Sequence, residues 1–236
     1  MDRPALLAAL RARIARLDRS GGSEVAGDSV PLCDAIDQYL PGGGLARAAI
    51  HEVLAADPGA AAGFCALVLA RTAGTVLWIA AEPDAWPPGL SRFGLSPADL
   101  VLVQARRPVD GLWAMEECLR CPGVAGALLV VAELDMTAAR RLQLAAEAGG
   151  ALGLLLRPDV EEAPVTAALT RWRVGTLPGA GGSAHDLGDP RWQLELLRCR
   201  GGRPQSWPVV WREAAERLDL DGAVEEIAMP TRRRAR

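Results

Sequence analysis

One stretch limits what this chain can fold into more than any other: Cys33 to Arg71, CDAIDQYLPGGGLARAAIHEVLAADPGAAAGFCALVLAR. It reads as a short helix, a glycine turn at Gly42, Gly43 and Gly44, an apolar strand over Ala49 to Leu54, a small-residue loop, and an alanine-rich helix ending at Arg71. Strand, loop and helix in that order form the frame in which P-loops hold phosphates, with backbone N–H groups at a helix N-terminus facing the anion.

The units that follow repeat the same alternation. TVLWIA (Thr75 to Ala80) is a continuous apolar run, as a strand covered on both faces should be. A proline-rich turn with a short helix spans Glu82 to Gly94, and Leu100 to Gln104 is the next strand. Val109 to Arg120 is helical, Val124 to Val131 a strand, Met136 to Ala148 a helix and Ala151 to Leu156 a strand. Such alternation predicts an α/β fold: a mostly parallel sheet flanked by helices. The pattern then changes to period two in TRWRV (Thr170 to Val174), WQLELLR (Trp192 to Arg198) and VVWR (Val209 to Arg212), which predicts an antiparallel hairpin extension at one sheet edge. Of the seven tryptophans, Trp172, Trp192, Trp207 and Trp211 fall in or beside this extension, where aromatic cross-strand pairs account for them without a ligand.

The frame lacks its chemistry. A working P-loop reads G-x-x-x-x-G-K-[ST], because the lysine neutralises phosphate charge and the hydroxyl ligates magnesium. Here the corresponding positions are Ala55, Asp57, Gly59, Ala60, Ala61 and Ala62, with Ala61 in place of the lysine and Ala62 in place of the hydroxyl. All 26 basic residues of the chain are arginine, yet none stands at that position. Asp57 adds a repulsion towards a triphosphate of about 1 to 4 kcal/mol, depending on the local dielectric. Glu82, after the second core strand, stands where open α/β sheets place functional residues, but without a phosphate cradle it has nothing to attack. Glu133 and Asp135 follow the strand ending at Val131, and either Ala132 or Glu133 takes the metal-binding acid position according to register. No catalytic residue, cofactor or metal is predicted.

Other candidates are weak. Cys118 and Cys121 form a single C-x-x-C at a helix end, with no second pair to complete a zinc site and no helix N-terminus to lower a thiol pKa. His51 lies within a strand as a core histidine bonded to backbone, and His185 sits in a glycine-rich turn. The segment after Leu156, RPDVEEAPVTAAL, is acidic and free of aromatics, so it offers no basic stacking groove for single-stranded DNA.

Residues 2 to 18 place Leu6, Leu7, Leu10, Ile14 and Leu17 on one helical face, with arginines opposite. The linker Ser20 to Ser29 is glycine-rich, so this helix must dock on the body or on another chain. From Glu213 onward the chain is charged and reads as a short helix or turn followed by disorder, ending in Arg232, Arg233, Arg234 and Arg236. The organisation is therefore a helix (1–19), a linker (20–29), a core with its hairpin extension (30–212) and a charged tail (213–236). The net charge of −3 argues against a protein that lives on phosphate backbone. No apolar run of about 18 residues spans a membrane. Five scattered cysteines fit a reducing, cytoplasmic setting.

Element order together with LPGGGLARAAIHEV and TVLWIAAEPDAW resembles the RecA recombinase core. More specifically, LPGGGLARAAIHEV, LWAMEECLR, RRLQLAAEAGGALGLLLR, TRWRV and RWQLELLRCRGGRP resemble the ImuA family, RecA-like accessory proteins of damage-induced mutagenesis, over about residues 30 to 212. The resemblance implies a RecA-like core in which Glu82 matches a vestigial catalytic acid. It implies a non-enzymatic role in an error-prone translesion-synthesis complex of the SOS response. The partners it implies are an ImuB-type inactive homologue of Y-family polymerases, the alpha subunit of an error-prone replicative-type polymerase, and RecA. Self-association is a further expectation, with Leu6, Leu10, Ile14, Leu17, Arg232, Arg233 and Arg234 as partner-binding candidates. The alternative is a SulA-like inhibitor of the tubulin-like division protein.

Overall fold

The computed structural model describes residues 29–82, 85–160, 166–179 and 188–222. The expectations placed on residues 2–18, on most of the linker, on His185 and on Arg232 to Arg236 lie outside the described residues.

Sheet strands and helices alternate from β3 (Ile50–Ala55) and α2 (Pro58–Ala70) through β4 (Val76–Ala80), α3 (Pro87–Ser91), β5 (Leu100–Gln104), α4 (Pro108–Arg120), β6 (Gly126–Val130), α5 (Met136–Gly149) and β7 (Leu152–Pro158). Four further strands follow: β8 (Thr170–Thr176), β9 (Arg191–Cys199), β10 (Gln205–Arg212) and β11 (Arg217–Leu220). Together they make a nine-stranded sheet in the order β11-β10-β9-β8-β3-β7-β6-β4-β5. Ahead of it, β1 (Ser29–Val30) pairs with β2 (Leu45–Ala46) in a small antiparallel ribbon that brackets α1 (Asp34–Asp37), so Ser29 belongs to a strand and not to the linker. Among the described residues no helix is long and apolar enough to cross a membrane.

β4 and β6 are apolar throughout because both faces are covered. Successive residues alternate sides: Leu128 and Leu154 join the core under α2 and α3, whereas Leu129 and Leu155 join the core under α4 and α5. Helix α2 is buried over almost its whole surface, from Ala60 to Leu69, which explains an alanine-rich helix with no polar stripe. Gly63 is required there, since a Cβ at this position would stand 2.9 Å from the Phe93 ring.

The hairpin region departs from the sequence reading in three respects. β8 is not an antiparallel strand on its inner side: it runs parallel to β3, with His51 opposite Thr170, and the sheet turns antiparallel only between β8 and β9. The sheet also continues past Arg212, because a short 3-10 turn (Glu213–Ala215) returns the chain as β11, with Leu218 buried opposite Trp211. Finally, no aromatic residue stands directly opposite these tryptophans: Leu196 faces Trp172, Leu194 faces Trp207, Val209 and Thr176 face Trp192, and Leu218 faces Trp211. The aromatic contacts reach elsewhere. Trp172 and Trp207 meet across β9 at 6.1 Å between ring centroids, and Phe64, Phe93 and Tyr39 pack on the cluster from the covering segments.

Candidate functional site

In an open α/β sheet, chemistry collects beyond the carboxyl ends of the parallel strands. β3 ends at Ala55 and α2 begins at Pro58, so only Ala56 and Asp57 connect them. Two residues are too few to wrap around a phosphate. Asp57 is the N-cap: its Oδ1 accepts the Ala60 N–H at 2.8 Å, and its own N–H donates to the Val174 carbonyl at 3.1 Å. Pro58 carries no N–H, and it is well placed at the first helical position. The cap thus occupies one of the N-terminal donors that an anion would use, with a charge of the wrong sign. Gly59 lies in the first helical turn, Ala60 and Ala61 are buried against the core, and Ala62 is half-buried. The lysine and hydroxyl positions of the motif therefore belong to the helix–sheet packing.

Glu82 is exposed just beyond β4. Beyond β6 the chain runs on alongside β7. Val131 donates to the Leu156 carbonyl at 3.0 Å, so it still belongs to the sheet. The Ala132 carbonyl accepts from Arg157 Nη2 at 2.9 Å, Glu133 is exposed, and Asp135 caps α5 through the Ala138 N–H at 2.7 Å. A cleft of about 860 Å³ opens here on the α4–α5 side, lined by Ala105, Pro108, Leu129, Val131 and Leu134 with Arg157.

The most conspicuous polar feature is one that the sequence reading missed. Glu52, in the middle of β3, is fully buried; its carboxylate accepts from Arg157 of β7, from Arg171 Nε of β8 at 2.5 Å and from Thr166 Oγ1 at 3.2 Å. Arg157 is buried as well and reaches on to Ala132, so one carboxylate ties three strands and the segment after β6 together. The signal was present as a lone acid within IHEVLA facing arginines at the ends of GLLLR and within TRWRV.

His51 points to the opposite face. Its Nε2–H donates to the Ala46 carbonyl at 2.8 Å, and Nδ1 accepts from Thr170 Oγ1 at 2.8 Å, whose oxygen in turn accepts the Trp172 indole N–H. Complete burial lowers the His51 pKa to about 4, so the ring is neutral and fastens β2 to β3 and β8. Cys121 is exposed and Cys118 half-buried, with burial, then Cys121 and Glu117, raising the Cys118 pKa; it is a thiol, not a thiolate nucleophile. Among the described residues no group of three His, Cys, Asp or Glu side chains could hold a metal ion.

No protein-family model matches the chain. Two curated relatives, each named Protein ImuA and coming from two strains of Caulobacter vibrioides, are 39% identical over 199 residues, covering 76% of this chain and 81% of theirs. The crystal structure of the RadB recombinase superposes with a TM-score of 0.57 at 13% identity, covering 80% of this chain and 96% of that one. That likeness, with the strand order above, is a RecA-like fold.

Proposed function

The chain belongs to the ImuA family, and from that premise we propose that it is a non-enzymatic accessory protein of the DNA-damage response, acting through protein contacts in an error-prone translesion-synthesis complex. The observation that carries the non-enzymatic part is the connection between β3 and α2, where the Asp57 carboxylate holds the Ala60 N–H that a phosphate would need. A RecA-like body offers two complementary surfaces of the kind used for head-to-tail association. Released from nucleotide control, these surfaces serve other proteins: an ImuB-type polymerase homologue, the alpha subunit of a replicative-type error-prone polymerase, RecA itself, or a second copy. Residues 2–18, through Leu6, Leu10, Ile14 and Leu17, and the tail at Arg232, Arg233 and Arg234 are the contacts proposed outside the described residues.

The test combines genetics with binding. Deleting the gene should abolish damage-induced mutation, and the wild-type chain should restore it; filamentous cells on overexpression, with mutation unaffected by deletion, would instead indicate a division inhibitor. Fluorescent ATP with magnesium should show no saturable binding to the purified chain, and tight capture with turnover would overturn the non-enzymatic reading. Removing residues 1–20 should weaken self-association or RecA binding, and a chain ending at Met229 should lose the polymerase homologue in a pull-down.

A further inference from the structure

A cleft of about 390 Å³ lies where α5 ends its cover of the sheet and the antiparallel extension begins. Arg140 and Leu144 of α5 form one wall, and Thr166, Arg198 of β9 and Arg200 the other, with Met136 at the end. Register places Arg198 directly opposite Arg171 on β8, and Arg171 is engaged by Glu52. Arg198 donates only to a neutral group, the Thr166 carbonyl at 2.9 Å. Among the described residues no carboxylate pairs with Arg140, Arg198 or Arg200.

The contrast with the neighbouring arginines is local. Arg141, adjacent to Arg140, is ion-paired with Glu116, and Arg191, on the same strand as Arg198, with Asp221. In a chain of net charge −3, guanidinium groups around one concavity with no carboxylate partner among the described residues mark a place for an external anion. The aliphatic side chains give the class of that anion. Leu144 is 63% exposed beside Arg140, Met136 is half-buried, and the cleft has no aromatic lining on which a base could stack.

We infer that this cleft docks an acidic segment of a partner protein, its carboxylates forked onto Arg140, Arg198 and Arg200 and an aliphatic side chain laid against Leu144. The inference rests on the reading that this protein works through protein contacts, and it supplies one contact surface for that reading.

The probe is a fluorescein-labelled peptide alternating glutamate with leucine, titrated against the full chain by anisotropy at two salt concentrations. Saturable, salt-weakened binding is expected. The doubly exchanged Arg140→Glu, Arg200→Glu chain should bind about tenfold more weakly or worse, and Leu144→Ala by a smaller factor. Both arginines are exposed, so an unchanged thermal melt will show that the double variant is folded. Peptide binding indifferent to the arginine exchange would overturn the proposal. So would a single-stranded oligonucleotide of equal charge that binds as tightly and displaces the peptide, which would make this a nucleic-acid site. Binding that emerges only after Glu161→Gln with Glu162→Gln would also overturn it, by giving the cleft to the chain's own acidic segment. No genetic readout enters the titration, so its failure leaves the accessory role in mutagenesis standing on its own test.

Discussion

Two arginine clusters lie on the same face of the sheet and have opposite fates. Arg157 and Arg171 converge on Glu52, which is fully buried, and their charge is consumed inside the fold. Arg140, Arg198 and Arg200 converge on a cleft open to solvent, where no described carboxylate answers them. The first arrangement is costly to desolvate and still costlier to break, so it specifies which strands sit together. The second contributes little to the fold and stays available.

The sharpest way to break that contrast is Glu52→Ala. It removes the carboxylate from the buried Arg157 guanidinium and should lower unfolding stability by about 3 to 5 kcal/mol in urea denaturation. A loss below about 1 kcal/mol would mean that the cluster does not hold the strands. A second structural group gives a pH signature. The folded His51 pKa of about 4 lies below the value near 6.5 of the unfolded chain. As pH falls through that window the unfolded state takes up a proton that native His51 refuses, so stability is intact above about 6.5 and is lost towards 4. The linkage predicts a loss of about 2 kcal/mol between pH 7 and pH 5, and His51→Gln should flatten the dependence there.

Legibility in the sequence follows the same division. The strands of the parallel core were readable because apolar runs such as TVLWIA require cover on both faces, and their crossover helices followed from alternation. The direction of β8 was not, since the alternation in TRWRV reports one covered face and says nothing about which way the neighbouring strand runs. β11 escaped because RLDL is short and half charged, and only the burial of Leu218 against the sheet gives it a place. At the loop, laying an eight-residue motif over AADPGAAA presupposed a loop long enough to hold it. The pair Asp57-Pro58 already spelled a cap followed by a first helical residue, and that reading needed no phosphate. The Glu52 cluster was hidden for another reason: its members are 105 and 119 residues apart, and only the strand order brings them together.

A milder change tests the loop. Asp57→Ala removes the cap of α2 and should destabilise the fold by about 1 kcal/mol by chemical denaturation. If the carboxylate were the sole obstacle to nucleotide, the same variant would gain ATP binding. It should not, because the connection between β3 and α2 is still too short to enclose a phosphate and Ala61 is still buried in the core. A fluorescent ATP titration of the variant separates charge from geometry as the cause.

The smallest effect belongs to the open cluster. Arg140→Ala and Arg200→Ala remove exposed side chains with no ion pair among the described residues, so each should change unfolding stability by less than about 0.5 kcal/mol. The two arginines meet at one cleft and repel, so either single variant already relieves that repulsion, and the double variant should be less stable than the sum of the singles predicts, by a margin that grows at low salt, where screening is weakest. Measured side by side in low and high salt, these variants decide whether the cleft is strained by its own charge. A double variant that loses less stability than the two singles add up to would mean that the arginines support each other through a contact within the fold, and the distinction between the two clusters would fail at its open end.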